Sequence, residues 1–556
     1  LGGWVVGLLL AFYPILLSGF ARVPGDESDP RLLNYILEHG YRWVTGDPRH
    51  GDFWSPPIFY PARNTAAYSD VLFSAGPFYW MWRLLGFAPD TSFQLWYLTI
   101  GSLNYWSAYA LLRNCLRLSF VAAALGAFLF AFGGSRLGQM LHAQLHLHFF
   151  TVLGVYALFR LFEYVSVPEK GDGTSKITGP VPFFGHGRRT AARIWIVVFG
   201  LAVVAQLYAS FYLGWFLGLG LLAVGLWALI LPAARKPLLA VVKTYPITIT
   251  FSIALSAGLL LPMAIHYLEA AREVGMFPFE RDWVPMWQTW LYMGDTSWLY
   301  GRLKLFEPAH IDAFHRGGHR MGLGLFTTLL AALGLYRARG WTAVRLLVLG
   351  SGTVALLVMT FGSGFSFWRF LFPYVPGAGA IRALCRIGLM MLLPASVGVA
   401  CAVQFSTRRW VVAAIGLLCV LEQGRFVDGF DKYQVRRDVR AVAEQIDPHS
   451  RAFFYAYIVP PDKPPGSVKL QLDAMEAQLA SGVPTVNGYS GKLPPGWQDQ
   501  QPRLGSGAEE PNPGLFFIRV CTEADRQRLD KALRAWRARH GLKEADIQWI
   551  TTRRNP

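Results

Sequence analysis

The chain has 556 residues, of which 53% are apolar and only 16% charged, with a mean hydropathy of +0.31. That balance excludes an ordinary water-soluble globule, because the apolar residues fall in blocks long enough to cross a bilayer. A formal charge of +17 would suggest nucleic acid in a soluble protein, but here Lys and Arg cluster in short loops between apolar blocks, so no nucleic-acid partner is expected and a phosphate-bearing ligand stays compatible with the charge.

In chain order, the first apolar block runs from about Trp4 to Phe20 and lacks a small-residue cleavage site, which favours a retained helix over a signal peptide. Blocks at about Phe93 to Leu112, Phe120 to Phe132 and His146 to Phe162 follow, the last leading into a basic loop with Lys170, Lys176, Arg188, Arg189 and Arg193. A tight pair, about Ile194 to Ala209 and Tyr212 to Leu231, precedes Arg235, Lys236 and Lys243 and a block from about Tyr245 to Ile265. Two further pairs, Met321 to Tyr336 with Ala343 to Phe361 and Ile381 to Val403 with Trp410 to Val427, enclose Arg337, Arg339 and Arg345 and then Arg408 and Arg409. About eleven crossings place every short basic loop on the cytoplasmic side. The other side receives the first loop (21–90), a long aromatic loop (266–320) and the C-terminal segment.

The expected fold class is therefore mainly α. A polytopic transmembrane helical bundle over residues 1–427 precedes a soluble, non-cytoplasmic α/β domain over residues 428–556. In that domain helices are predicted at Asp438 to Ile446 and Val468 to Ala480, and strands at Ala452 to Val459, Leu515 to Val520 and Ile547 to Thr551. A further helix opens at Thr522 through a capping-box pattern and stops at Gly541. Five scattered cysteines give neither a disulfide framework nor a metal-ligand spacing and read as small core residues.

Directly after the first block stands Gly25-Asp26-Glu27-Ser28-Asp29-Pro30. Three carboxylates at a membrane exit must face water, and a carboxylate held there takes a proton from an acceptor hydroxyl or helps to bind a divalent cation such as magnesium or manganese, with Asp26 and Glu27 as its ligands. Asp29 also suits the role of helix cap for Arg31 to Trp43, whose apolar residues recur at helical spacing and suit an interfacial helix on the bilayer surface. The loop continues through Tyr60-Pro61 to Asp70, a second acid on the same side, amid aromatics suited to headgroups or sugars.

Two more clusters are candidates for substrate contact. Arg382 and Arg386 lie one helical turn apart at the external start of a block, where they either hold a phosphate, reach for headgroups or pair with a loop carboxylate. Arg136, His142 and Gln144, beside His146 and His148, mark an external bend. It reads as polar cavity lining or, through His142 and His146, as a metal site, and Arg136 could equally serve the phosphate. The long loop, with Glu280, Asp282, Asp295, His310, His315 and His319 among tryptophans, suits a mobile lid or plain packing.

A first helix, an acidic external Gly25-Asp26-Glu27 motif, a Tyr60-Pro61 element and many further crossings resemble the GT-C superfamily of membrane glycosyltransferases over roughly residues 1–430. The resemblance implies a polyprenyl-phosphate-linked sugar donor, an acceptor on the non-cytoplasmic face, and inversion at the anomeric carbon with an acid of the first external loop as base. It also implies residence in a bacterial inner membrane. The absence of a Trp-Trp-Asp signature argues against the oligosaccharyltransferase branch. Two other classes compete with this expectation: a transporter or flippase of a lipid-linked glycan, and a non-catalytic subunit of a larger assembly whose C-terminal domain docks a protein partner.

Overall fold

The computed structural model describes residues 1–166, 187–308, 311–362, 364–406, 408–458, 467–497 and 523–553. Lys170, Lys176, His310, the strand expected at Leu515 to Val520 and the cap at Thr522 lie outside them. The chain is mainly helical. Each apolar block of the sequence falls on a helix, and among the described residues six helices are long and apolar enough to cross a membrane: Phe120–Leu137, Ala143–Val165, Arg188–Ala209, Phe211–Ile230, Pro246–Val274 and Leu384–Gln404. Gly2–Leu17, Leu325–Arg337 and Thr342–Val358 are apolar but shorter. This is a multi-pass membrane protein.

Contacts divide the chain into two compact units, and the division is not linear in sequence. The first comprises Leu1–Leu17, Leu95–Leu261 and Met276–Asp428; the second comprises Ser18–Gln94, Pro262–Gly275 and Gly429–Pro556.

The span Leu384–Gln404, in the first unit, is 83% buried, whereas Pro246–Val274, which belongs to the second unit from Pro262 onward, is only 11% buried. The former is thus the axis of the bundle, and the latter offers its surface to lipid. The axis is packed by small residues. A Cβ on Gly334 would lie 1.8 Å from the carbonyl oxygen of Gly398, and one on Gly398 would lie 2.4 Å from that of Ala331, so the Leu325–Arg337 and Leu392–Gln404 helices meet backbone to backbone. Lipid tails are as apolar as leucine, so close packing of this kind, rather than the hydrophobic effect, holds membrane helices together. Cys385, Cys401 and Cys419 are buried free thiols in this unit.

A helix cap supplied from a distance completes the bundle. The carboxylate of Glu422, 3% exposed, accepts the backbone N–H groups of Phe326 (3.0 Å) and Thr327 (2.7 Å) and the hydroxyl of Tyr300. It therefore neutralises the amide end of the Leu325–Arg337 helix, where the helix dipole favours a negative charge. Gly324, at φ +86°, leaves the space that this carboxylate occupies.

In the second unit, Arg22–Pro24 pairs antiparallel with Gly429–Asp431, Arg22 opposite Asp431. The Asp29–Val44 helix follows, and its apolar stripe does not lie on a membrane surface as expected. Leu32 and Tyr35 are buried in one core with Phe454, Leu472, Leu533 and Trp536, so protein rather than lipid covers that face. The amphipathic pattern was real, but its partner lies more than 400 residues away, which periodicity alone cannot reveal. Ala452–Ile458 and Ile547–Arg553 form a parallel pair, and helices Lys432–Ala443, Ser467–Ser481 and Glu523–Arg539 accompany it, the last followed by Gly541 at φ +64°.

Candidate functional site

The acidic motif belongs to the second unit. Gly25, at φ +97°, turns the chain so that Asp26 is exposed; its Oδ1 accepts the backbone N–H of Ser28 at 3.0 Å and the Ser28 hydroxyl, bonds within its own turn. The other two acids are engaged with the C-terminal segment. Glu27 forms ion pairs with Lys469 and, at 3.8 Å, with Arg31. Asp29 opens the helix without capping it, since Ser28 holds the cap position, and its Oδ1 accepts the Tyr489 hydroxyl at 2.8 Å.

Beneath this turn Arg31, 3% exposed, donates Nε to Glu476 at 2.7 Å and Nη2 to Asp473 at 2.9 Å. Burial works against its charge, but the two carboxylates outweigh that cost and hold the guanidinium firmly protonated. The acidic turn is thus anchored through an ion triad of buried Arg31 and Asp473 with half-buried Glu476. Two turns further along the helix, Glu38 binds Arg42, Arg83 and the Tyr79 hydroxyl, and His39 meets His50.

The remaining loop residues are structural neighbours of the tail. Tyr60 donates its N–H to the Thr485 carbonyl at 2.9 Å, and the guanidinium of Arg451 lies 6.0 Å from the centre of its ring. Asp70 is half-buried just beyond the Thr65–Tyr68 turn. A polar cluster missed in the sequence lies in the same unit. The helix expected to stop at Ile265 continues to Val274, so His266, Glu269 and Glu273 recur on one face. The Asn64 amide donates to the His266 carbonyl (2.9 Å) and Glu269 (3.4 Å), its oxygen accepts His266 Nδ1–H (2.9 Å), and Tyr68 donates to Glu273 (2.8 Å). Trp54 stacks on His266 with ring centres 4.1 Å apart. Spacing from His266 to Glu273 was the available signal.

In the first unit the structure brings Arg382, Arg386 and His142 together. Arg386, 8% exposed, donates Nη2 to His142 Nε2 at 2.8 Å, which requires a lone pair on that nitrogen; its Nε has no hydrogen-bond partner. Its guanidinium lies 5.0 Å from the centre of the Tyr212 ring, and the Tyr212 hydroxyl accepts the N–H groups of Arg382 and Ala383. Arg382 precedes the helical segment rather than sitting one turn back on it. Its guanidinium faces Phe277, Trp283 and Phe314 at 5.6, 5.6 and 6.0 Å, and among the described residues it is paired with no carboxylate. Segments of the long loop thus form an aromatic wall around Arg382.

Arg136 is placed otherwise. It is fully buried and donates to the carbonyls of Phe130 and Leu145, both at 3.2 Å, and to His148 Nδ1 at 3.0 Å, which ties the bend together and leaves the guanidinium no exposed face. Gln144 is 9% exposed and its amide oxygen has no partner. Among the described residues no three His, Cys, Asp or Glu side chains converge as a metal cage.

No family model and no curated protein matches the chain. Solved structures do. The oligosaccharyltransferase of Archaeoglobus fulgidus, tethered to an acceptor peptide, aligns with a TM-score of 0.50 at 12% identity, over 95% of this chain and 67% of that one. The arabinofuranosyltransferase AftD from Mycobacteria gives 0.49 at 15% identity over 88% of this chain, which spans 32% of AftD. ArnT from Cupriavidus metallidurans, bound to undecaprenyl phosphate, gives 0.32 at 11% identity over 87% of this chain and 90% of that one. Over most of its length the chain thus has a fold similar to that of the archaeal oligosaccharyltransferase.

Proposed function

We propose that this protein is an inverting glycosyltransferase of the GT-C type that moves a sugar from a polyprenyl-phosphate donor to an acceptor hydroxyl at the non-cytoplasmic face. The observation that carries the reading is the division of labour in the acidic turn: Glu27 and Asp29 are held by Lys469 and Tyr489, whereas Asp26 is exposed and bonded to its own turn. Asp26 is assigned the role of base.

In the reaction, the acceptor oxygen attacks the anomeric carbon as its proton passes to the Asp26 carboxylate. The bond between that carbon and the phosphate oxygen breaks, and the electron pair leaves with the phosphate. The transition state has oxocarbenium character, so catalysis needs a base and neutralisation of the departing charge. In the first unit, Arg386, with an unsatisfied Nε, and Arg382, with no carboxylate partner among the described residues, are the candidates for contact with a phosphate-bearing donor.

The test is sugar transfer in membranes from a panel of radiolabelled polyprenyl-phosphate donors. Asp26→Asn should lower transfer by about 10²- to 10⁴-fold at unchanged protein level. Glu27→Gln should reduce the amount of folded protein and leave the specific rate within a few-fold. Undiminished transfer by Asp26→Asn would remove the base assignment, and absence of transfer from every donor would favour a carrier of lipid-linked glycans.

A further inference from the structure

Between Arg320 and Glu422 the sequence contains no Asp, Glu or Lys; every charged side chain in that stretch is an arginine. Three of them converge where the Leu325–Arg337 helix turns into Thr342–Val358. Arg337, Arg339 and Arg345, together with Tyr336 and Gly340, line a shallow, open cleft on the surface. All three arginines are exposed, and among the described residues none is paired with a carboxylate.

Three like charges around one cleft repel one another, and their surroundings do little to compensate. Arg337 ends a helix, where the dipole welcomes a cation, but Arg345 stands in the opening of the next helix, where it does not. That helix begins on Trp341, whose side chain cannot accept from its amides, and its first turn holds no acid. A ligand with several anionic oxygens answers all three arginines, since each planar fork can bind two of them.

The setting identifies the source of such a ligand. Arg339 is held over the Tyr336 ring at 4.0 Å, and Trp341 lies against Phe405 with ring centres 6.4 Å apart. Tyr336 and Trp341 are 63% and 37% exposed at the ends of two membrane helices, the position of aromatic side chains that lie at headgroup depth. We infer that this cleft is a binding site for the phosphate of an anionic membrane lipid, with Arg337, Arg339 and Arg345 clasping a phosphomonoester headgroup.

The site is independent of the sugar-transfer reading, and its test needs no activity. The detergent-solubilised full chain is titrated with dioleoyl phosphatidic acid and, separately, dioleoyl phosphatidylcholine, and bound lipid is counted by native mass spectrometry. Phosphatidic acid should be retained over phosphatidylcholine, and the triple variant R337Q/R339Q/R345Q should weaken its retention by roughly a hundredfold. The triple Lys variant keeps the charge and loses the forks, so it should weaken retention by about tenfold. All three positions are exposed, and an unchanged melting temperature confirms that the variants are folded.

Equal retention of the two lipids, or retention of phosphatidic acid by the Gln variant at the native level, would overturn the site. Full retention by the Lys variant would reduce it to diffuse basic charge. Complete displacement of the lipid by millimolar inorganic pyrophosphate would reassign the cleft to a soluble phosphate compound and overturn the lipid assignment.

Discussion

Tyr489 donates its phenolic hydrogen to the carboxylate of Asp29 over 2.8 Å, across 460 residues of sequence. The bond gives Asp29 a structural occupation in the turn that also carries Asp26. Tyr489→Phe removes the donor and leaves the acceptor beside water, so a loss of about 1 kcal/mol is expected. Thermal unfolding should register it, while sugar transfer stays within a few-fold of the native rate. A collapse of transfer would instead give Asp29 a part in the chemistry.

Arg31 should be among the least replaceable side chains of the second unit. Asp473 is fully buried, and removal of Arg31 takes the opposite charge from a buried ion pair, which costs about 3–5 kcal/mol. Arg31→Met should therefore abolish or sharply reduce folded protein. Arg31→Met combined with Asp473→Asn should recover part of it, as followed by limited proteolysis of the C-terminal segment.

The imidazoles of His39 and His50 predict an acid limit. Their Nδ1 atoms are 2.8 Å apart, and His39 Nε2 contacts the Phe53 carbonyl at 3.0 Å. A carbonyl only accepts, so the hydrogen of His39 is on Nε2 and His50 Nδ1 donates to His39 Nδ1. Burial pulls His39 down to about 4 and His50 to about 3, against about 6.5 in the unfolded chain. As pH falls from about 6.5 towards 4 the unfolded chain takes up protons that the folded one refuses, so stability is complete above that window and declines through it. Melting temperatures between pH 7.5 and 4.5 should show the decline, and His50→Asn, which keeps a donor and cannot be protonated, should flatten it.

The contact of Gly334 with Gly398 leaves no space for a methyl group. Gly398→Ala should separate the two helices and cost about 1–3 kcal/mol or more, the usual range for overpacking. Gel filtration of the solubilised protein should show loss of the monodisperse species. Ala402→Gly, on the same helix, serves as a milder control.

Arg386→Lys tests the assigned phosphate contact. Lysine keeps the charge and loses the fork that places Nη2 on His142. Donor KM should rise by about tenfold with a smaller change in kcat, as expected for an interaction made with the bound donor as well as the transition state. An unchanged KM would leave Arg386 a structural role beside Tyr212.

The membrane helices were legible because long apolar blocks have few alternative fates, and the 13-residue helix Phe120–Phe132 coincides with its block residue for residue. The Gly25–Pro30 turn was equally visible, since carboxylates at a membrane exit have few structural excuses. What was not legible is pairing at long range. Nothing in the local pattern of Arg31 to Trp43 distinguishes a lipid surface from Leu472 and Trp536 as the partner of its apolar face. Arg136 illustrates the same limit: its position suggested phosphate, and only the carbonyls of Phe130 and Leu145 reveal that the bend itself consumes its donors. The end of the long helix was misplaced for a simpler reason, because hydropathy drops at His266 while helical hydrogen bonding continues to Val274.

The pairing of Arg22–Pro24 with Gly429–Asp431 sets a timetable for biogenesis. Ribosomes add about 5–20 residues per second, so roughly 20–80 s pass between the emergence of the first strand and that of its partner. Throughout that interval the acidic turn and the apolar face of the helix behind it have no finished core to join. A nascent chain in this state exposes Leu32 and Tyr35 to chaperones and proteases, and premature termination just before Gly429 yields an inserted bundle whose first loop never matures.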